Sequence, residues 1–230
     1  MNAGRTARER ARAELTEEIK TIARRQLATD GAADLSLRAI SRELGMVSSA
    51  IYRYFPSRDD LLTALIIDAY DALGEAAEAA VEPDYDRPLD AWLAVCAAVR
   101  DWARANPHEY ALIYGSPISG YQAPQATVQP ASRVPILLLG LLDRAQADGQ
   151  LVVPGDAPEP GGVLAEQVQV LVALAPRVPP PVLVRTVIVW TQLFGMISFE
   201  LFGQLVGSMD PADAFFDSTT RQMAAFVGLS

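Results

Sequence analysis

Ser48, Ser49, Tyr52 and Arg53 bring two aliphatic hydroxyls, a phenol and a guanidinium fork into one short stretch of chain. Side chains of these kinds donate to phosphate oxygens and base edges, and arginine to guanine is the commonest specific contact in a major groove. For that chemistry they must share one face of a helix. Val47, Ile51 and Phe55 recur by fours, which puts those three on an inward face and leaves the four polar residues opposite. Pro56 ends the run, because a residue before proline is pushed out of the α region.

A preceding helix has to brace this one. Ser36 is a good N-cap residue. Leu37, Ile40 and Leu44 then form one apolar stripe. Gly45 follows directly, where a left-handed residue closes a helix at little steric cost. Helices this short do not stand alone in water, since nucleation is costly, so each must be packed by its apolar face. On pattern alone the pair suits a DNA-reading helix-turn-helix and equally an ordinary helical hairpin with a solvated face.

The residues 37–65, LRAISRELGMVSSAIYRYFPSRDDLLTAL, resemble the DNA-binding segment of TetR-type transcriptional regulators. Gly45, Tyr52, Tyr54, Phe55, Pro56, Arg58, Leu61 and Leu62 stand where that pattern expects a turn glycine, a tyrosine, an aromatic pair and a basic residue opening a long helix. The resemblance implies DNA contacts from Ser36, Arg38, Ser48, Ser49, Tyr52 and Arg53, with a base contact at Arg38. It also implies a phosphate contact from Arg58. Tyr54 is expected to pack.

The 230 residues are half apolar, and helical periodicity runs through most of the chain with almost no strand signal. The expected fold is all-α: a three-helix DNA-binding head with the helix-turn-helix, then a larger helical ligand-binding and dimerisation domain. We place the head at 1–57, with a basic arm at 1–12, and the second domain at 58–230, with a connecting helix at 58–81. The net charge of −9 hides an asymmetry. Residues 1–58 hold eleven Lys or Arg against seven Asp or Glu, +4, and the remainder is −13. A basic head on an acidic body suits a protein that meets DNA by one end.

Cys96 is the single cysteine, so no intrachain disulfide framework is possible and a reducing cytoplasm fits. The N-terminus has arginines but no apolar segment behind them, and we expect no signal peptide. The apolar stretch 186–199, between Arg185 and Glu200, is expected to be too short to cross a bilayer, so no membrane partner is expected.

Leu15, Ile19, Ile22 and Leu27 mark a first helix over 13–29. The arm before it could lie along phosphates or simply be a solvated terminus. Leu89, Trp92, Cys96 and Val99 mark a helix to Ala105, and Asn106-Pro107-His108-Glu109 reads as a capping box opening an aromatic helix with Tyr110 and Tyr114. A loop is expected over 119–130, a helix over 132–148, a loop over 153–162 and a helix over 163–174. Two last helices, 182–205 and 211–227, close the chain, with Asp210 and Pro211 as N-cap and N1 of the second. The first is apolar nearly all round and needs a second cover, so a homodimer through these two helices is expected.

The C-terminal half resembles the ligand-binding portion of one TetR subgroup, whose late helix carries Trp, His-Gly and then Glu. Trp190, Gly195 and Glu200 fit, and Phe194 stands where the histidine is usual. The resemblance favours a cavity lined by Trp92, Cys96, Tyr110, Tyr114, Trp190, Phe194 and Ile197, which are otherwise plain core. Such a pocket would take a small hydrophobic effector. One histidine and one cysteine exclude a multi-His or multi-Cys metal site, and no glycine-rich phosphate loop follows a strand. We therefore expect no catalytic residues, no metal and no cofactor. The expected function is a sequence-specific transcriptional regulator: a repressor on a palindromic double-stranded operator, released by the effector, with an activator as the alternative and, behind it, a helical scaffold or an enzyme without DNA function.

Overall fold

The computed structural model describes residues 7–229, and among them every regular element is a helix. In chain order these are α1 (Ala7–Asp30), α2 (Leu37–Glu43), α3 (Ser48–Ile51), α4 (Arg58–Ala79), α5 (Pro88–Ala105) and α6 (Pro107–Tyr114). They continue with α7 (Val128–Ala131), α8 (Arg133–Ala147), α9 (Val163–Gln167), α10 (Gln169–Leu174), α11 (Pro180–Leu201) and α12 (Asp213–Val227). Short 3-10 helices cover Ala32–Asp34 and Gln125–Thr127. Two compact units result: the chain up to Tyr70 with His108–Val128, and Asp71–Pro107 with the chain from Gln129.

In the first unit, Ile19, Ile22 and Leu27 of α1 pack with Leu37 and Ile40 of α2, Ile51 of α3, Phe55, and Leu61, Leu62 and Leu65 of α4. Each such side chain contributes about 1.5–3 kcal/mol by leaving water. This is the braced head that the apolar spacing predicts. Three ion pairs reinforce it. Arg24 on α1 reaches Asp68 on α4 at 2.6 Å and Glu109 on α6 at 2.9 Å, and Lys20 meets Asp68 at 2.8 Å.

α1 starts earlier than the expected Ala13. Ala, Arg and Glu from Ala7 onward are strong helix formers with no glycine or proline among them, so the helix takes in the second half of what we read as an arm. Residues 1–6 of that arm lie outside the described residues. Glu109 is also used differently from the expected capping box: its carboxylate accepts from Arg24, and Asn106 closes α5, donating from Nδ2 to the Trp102 carbonyl at 2.9 Å.

In the second unit, Trp92, Val95, Cys96 and Val99 of α5 are buried with Leu138 and Leu142 of α8, Leu193 and Ile197 of α11, and Met223 of α12. Trp92 donates its indole N–H to the Thr220 carbonyl at 3.2 Å. Arg133 at the start of α8 forks onto Glu78 at 2.7 Å and onto Asp71 at 2.9 Å. Gly74 lets it lie there, because a Cβ at that position would stand 2.6 Å from the Arg133 Nε.

Four boundaries here depart from the sequence reading. The loop expected over 119–130 contains the second 3-10 helix and the start of α7. The helix expected over 163–174 is divided at Val168 into α9 and α10. Ala212, not Asp210, stands at the cap of α12, and the Asp210–Pro211 peptide is cis. α11 has 22 residues, which by length and composition is enough to cross a membrane, against our expectation from the shorter apolar stretch. Two charged residues within it are held by other helices or loops: Arg185 by Asp156 at 2.8 Å and Glu200 by Arg100 at 2.7 Å. With Leu193 and Ile197 fully buried, α11 is a core helix of its unit.

Candidate nucleic-acid interface

α2 is closed at both ends by its own sequence. The Ser36 hydroxyl accepts from the Ala39 N–H at 3.3 Å, and the Ser36 N–H donates to Gln26 Oε1 at 3.1 Å. At the other end Gly45 turns left-handed, with φ +64°. Its N–H reaches the Arg42 carbonyl at 3.1 Å and the Met46 N–H reaches Ser41 at 2.8 Å, the paired bonds of a Schellman motif. That turn sets the direction of the next segment.

α3 is only four residues long and continues as hydrogen-bonded turns, with Tyr54 and Phe55 both donating to the Ile51 carbonyl, at 2.9 and 3.1 Å. Ile51 and Phe55 point into the core as expected. Val47 does not: it is 71% exposed, because it precedes α3 in extended backbone and so falls off the helical stripe. Ser48, Ser49, Tyr52 and Arg53 are exposed on the far side from Ile51, and Arg38 is exposed on α2. Among the described residues the Arg38 and Arg53 guanidiniums have no hydrogen-bond or ion-pair partner, and the Ser48 hydroxyl stands 3.5 Å from that of Ser41. These groups are placed to meet something outside the chain.

Four neighbours were not legible as part of this arrangement. Arg12 on α1 donates to the Arg53 carbonyl at 2.9 Å and lies 5.3 Å from the Tyr54 ring centre, so it braces the exposed segment from behind. Arg42 is exposed one turn after Arg38 on the same side of α2, and its spacing of four from Arg38 was the available signal. The Ser57 hydroxyl caps α4, accepting from the Asp60 N–H at 3.1 Å and donating to the Asp60 carboxylate at 2.6 Å. Arg58, expected to grip a phosphate, has its Nη2 donating to the carbonyls of Ala32 at 2.6 Å and Ala33 at 3.2 Å. Its guanidinium therefore ties the head together.

The seven expected pocket residues do not fall in one compact unit. Tyr110 and Tyr114 belong to the first, with ring centres 5.2 Å apart and Tyr70 edge-on to Tyr114 at 6.0 Å. Burial pushes both the Tyr114 and Tyr70 hydroxyls above their ordinary range. Trp92, Cys96, Phe194 and Ile197 are buried core of the second unit, and burial pushes the Cys96 thiol up to about 12. Trp190 lines a small apolar cavity of about 100 Å³ with Leu138, Leu171 and Val187, and its buried indole nitrogen has no partner. Glu200 is the anchor of a charge cluster: it receives Arg100 Nε and Nη2 at 2.7 Å each, and Arg100 also meets Asp213 at 3.0 Å.

The comparisons with known proteins agree with this geometry. A family model for bacterial regulatory proteins of the tetR family matches residues 21–65, and one for a tetracyclin repressor-like C-terminal domain matches residues 92–223. The HTH-type transcriptional regulator Rv1816 of Mycobacterium tuberculosis is 40% identical over 223 residues, covering 94% of this chain and 93% of that protein. The regulator Mb1846 of Mycobacterium bovis matches to the same extent, at 40% identity. Among solved structures, the regulatory protein SCO4313 is 32% identical with a TM-score of 0.77, covering 96% of this chain and all of that one. A Rhodococcus protein of unknown function shares the fold at a TM-score of 0.68 and 24% identity, covering 94% of this chain and 95% of its own. The exposed segment is the helix-turn-helix of a DNA-binding transcriptional regulator, and the chain belongs to the TetR family.

Proposed function

We propose that the protein is a cytoplasmic, homodimeric repressor held on a palindromic operator by two copies of the head and released by a small hydrophobic effector. The observation that carries this reading is the exposed row Ser48, Ser49, Tyr52 and Arg53 over buried Ile51 and Phe55, with Arg38 exposed on the helix before it. In this reading Arg38 and Arg53 contact bases, and Ser48, Ser49 and Tyr52 donate to phosphates or base edges. Ser36 and Arg58 lie beside the same surface and act mainly by fixing it. Residues 1–57 form the DNA-binding domain and 58–230 the effector-binding and dimerisation domain, with α4 as the connection.

Dimerisation through α11 and α12 is supported by apolar side chains left at the surface, among them Ile188 and Phe199 on α11 and Phe226 on α12. Two heads related by a twofold axis would meet half-sites roughly 34–36 Å apart in successive major grooves. An effector that prefers the DNA-incompetent form by about 1–3 kcal/mol weakens binding roughly 5–150-fold. Trp190 and the apolar cavity beside it are the part of the second unit best suited to begin such a site.

The test is a gel-shift series on the intergenic DNA beside the gene, run with transcript measurement in a deletion strain. Wild-type protein is expected to retard a fragment carrying an inverted repeat, and neighbouring transcripts are expected to rise on deletion. Transcripts that fall on deletion would replace the repressor with an activator. Absence of any retarded fragment would contradict the operator assignment.

A further inference from the structure

The first unit contains a cavity of about 450 Å³ that the DNA-reading surface does not use. Its walls come from the end of α1, the 3-10 helix at Ala32–Asp34, α6 and residues 116–119. The volume lies in the range of small-molecule sites, roughly 300–1,000 Å³. The space exists because Ala32, Ala33 and Ala111 line it with single methyl groups, while Leu27 and Leu112 supply larger apolar surface. No Asp, Glu, Lys or Arg lines it, and the neighbouring Glu109 carboxylate is turned to Arg24. His108, Ser116 and Ser119 are the polar side chains available to an occupant. An ionised ligand would find no counter-charge on these walls. A neutral, largely apolar molecule with one hydroxyl or carbonyl fits.

The wall of this cavity is also the anchor of α4. The carbonyls of Ala32 and Ala33 hold the Arg58 guanidinium, and Arg58 follows closely on Phe55, whose buried ring underlies the exposed row. Anything that displaces the Ala32–Asp34 turn acts on that anchor. We propose that this cavity is a regulatory site of its own, which takes a small uncharged apolar molecule and weakens DNA binding from within the head. It is additional to the effector site proposed in the second unit, and it rests on the DNA-binding reading.

A covalent occupant tests it. Cys96 is fully buried with its thiol pushed up to about 12, so a Ser119→Cys variant presents one reactive thiol at the cavity. Benzyl methanethiosulfonate places a benzyl group there and methyl methanethiosulfonate a methyl group; in each case the thiolate takes the sulfur and sulfinate leaves. DNA affinity is then measured on a duplex that the wild-type protein retards. The benzyl adduct is expected to bind about 5-fold or more weakly than the methyl adduct, at unchanged melting temperature. Affinities for the two adducts within about twofold of each other would overturn the proposal. If Ser119→Cys loses its helical signal, Ser116→Cys serves for the same pair of reagents. An unlabelled protein that retards no duplex would overturn the DNA-binding reading and this site with it, and is seen before any label is added.

Discussion

Arginine does opposite work in the two units. Arg53, on the turn after α3, is exposed, and only its backbone is engaged: its N–H donates to the Ala50 carbonyl and its carbonyl accepts from Arg12. Arg100, in the middle of α5, is 6% exposed, clamped by both oxygens of Glu200, paired to Asp213, and stacked 4.7 Å from the Phe216 ring centre. One has side-chain donors that no group among the described residues takes up; the other has all three guanidinium nitrogens engaged inside its unit. Arg58 shows that proximity to the DNA surface does not decide between these roles, since its donors go to the carbonyls of Ala32 and Ala33. What separates a reading residue from a structural one is whether its donors are already satisfied.

The contrast is most easily broken in the second unit. Glu200→Ala leaves Arg100 buried beside only the exposed Asp213, and should cost about 3 kcal/mol of folding stability in urea denaturation, near the low end for an orphaned buried charge because Glu200 is partly solvated. A loss under about 1 kcal/mol would mean the cluster is solvated and the comparison is wrong. Arg53→Ala should do the reverse: a loss of about 1–3 kcal/mol in operator affinity with relaxed specificity at one base. Its urea midpoint should stay within about 0.5 kcal/mol of wild type. Removing the α2 cap by Ser36→Ala should cost about 1 kcal/mol, read as faster amide exchange across α2.

The smallest effect is electrostatic. The Arg100 hydrogen bond and charge hold the Asp213 carboxyl below its ordinary value of 3.8. Its stabilising contribution is therefore complete above that value and lost as the pH falls through the lower folded one. Asp213→Asn should flatten the fall in stability measured below about pH 4. An unchanged acid limb would show that Asp213 does not feel Arg100 in solution.

The head was legible because its information is local. The cap at Ser36, the stripe of Leu37 and Ile40, the turn at Gly45 and the spacing of Ile51 and Phe55 all act within a few residues, and the structure places them as read. Val47 failed at the boundary, where helical periodicity does not yet apply. Long-range pairs were not legible at all. Nothing near Arg100 points to Glu200, a hundred positions away, and nothing near Glu109 points to Arg24, so a capping box looked sufficient there. The aromatic residues gathered into one expected pocket are drawn from both units: Trp92 donates to the Thr220 carbonyl in the second, while in the first Tyr114 packs against both Tyr110 and Tyr70.

Hydroxyl-radical footprinting of the wild-type and Arg53→Ala proteins on the retarded fragment tests the central claim most directly. The account predicts two protected windows centred roughly 34–36 Å apart along the duplex, each spanning one half of the inverted repeat. It also predicts that Arg53→Ala keeps both windows, at higher protein concentration, while tolerating a changed base in each half. A single unbroken window, or a base preference that Arg53→Ala leaves untouched, would contradict it.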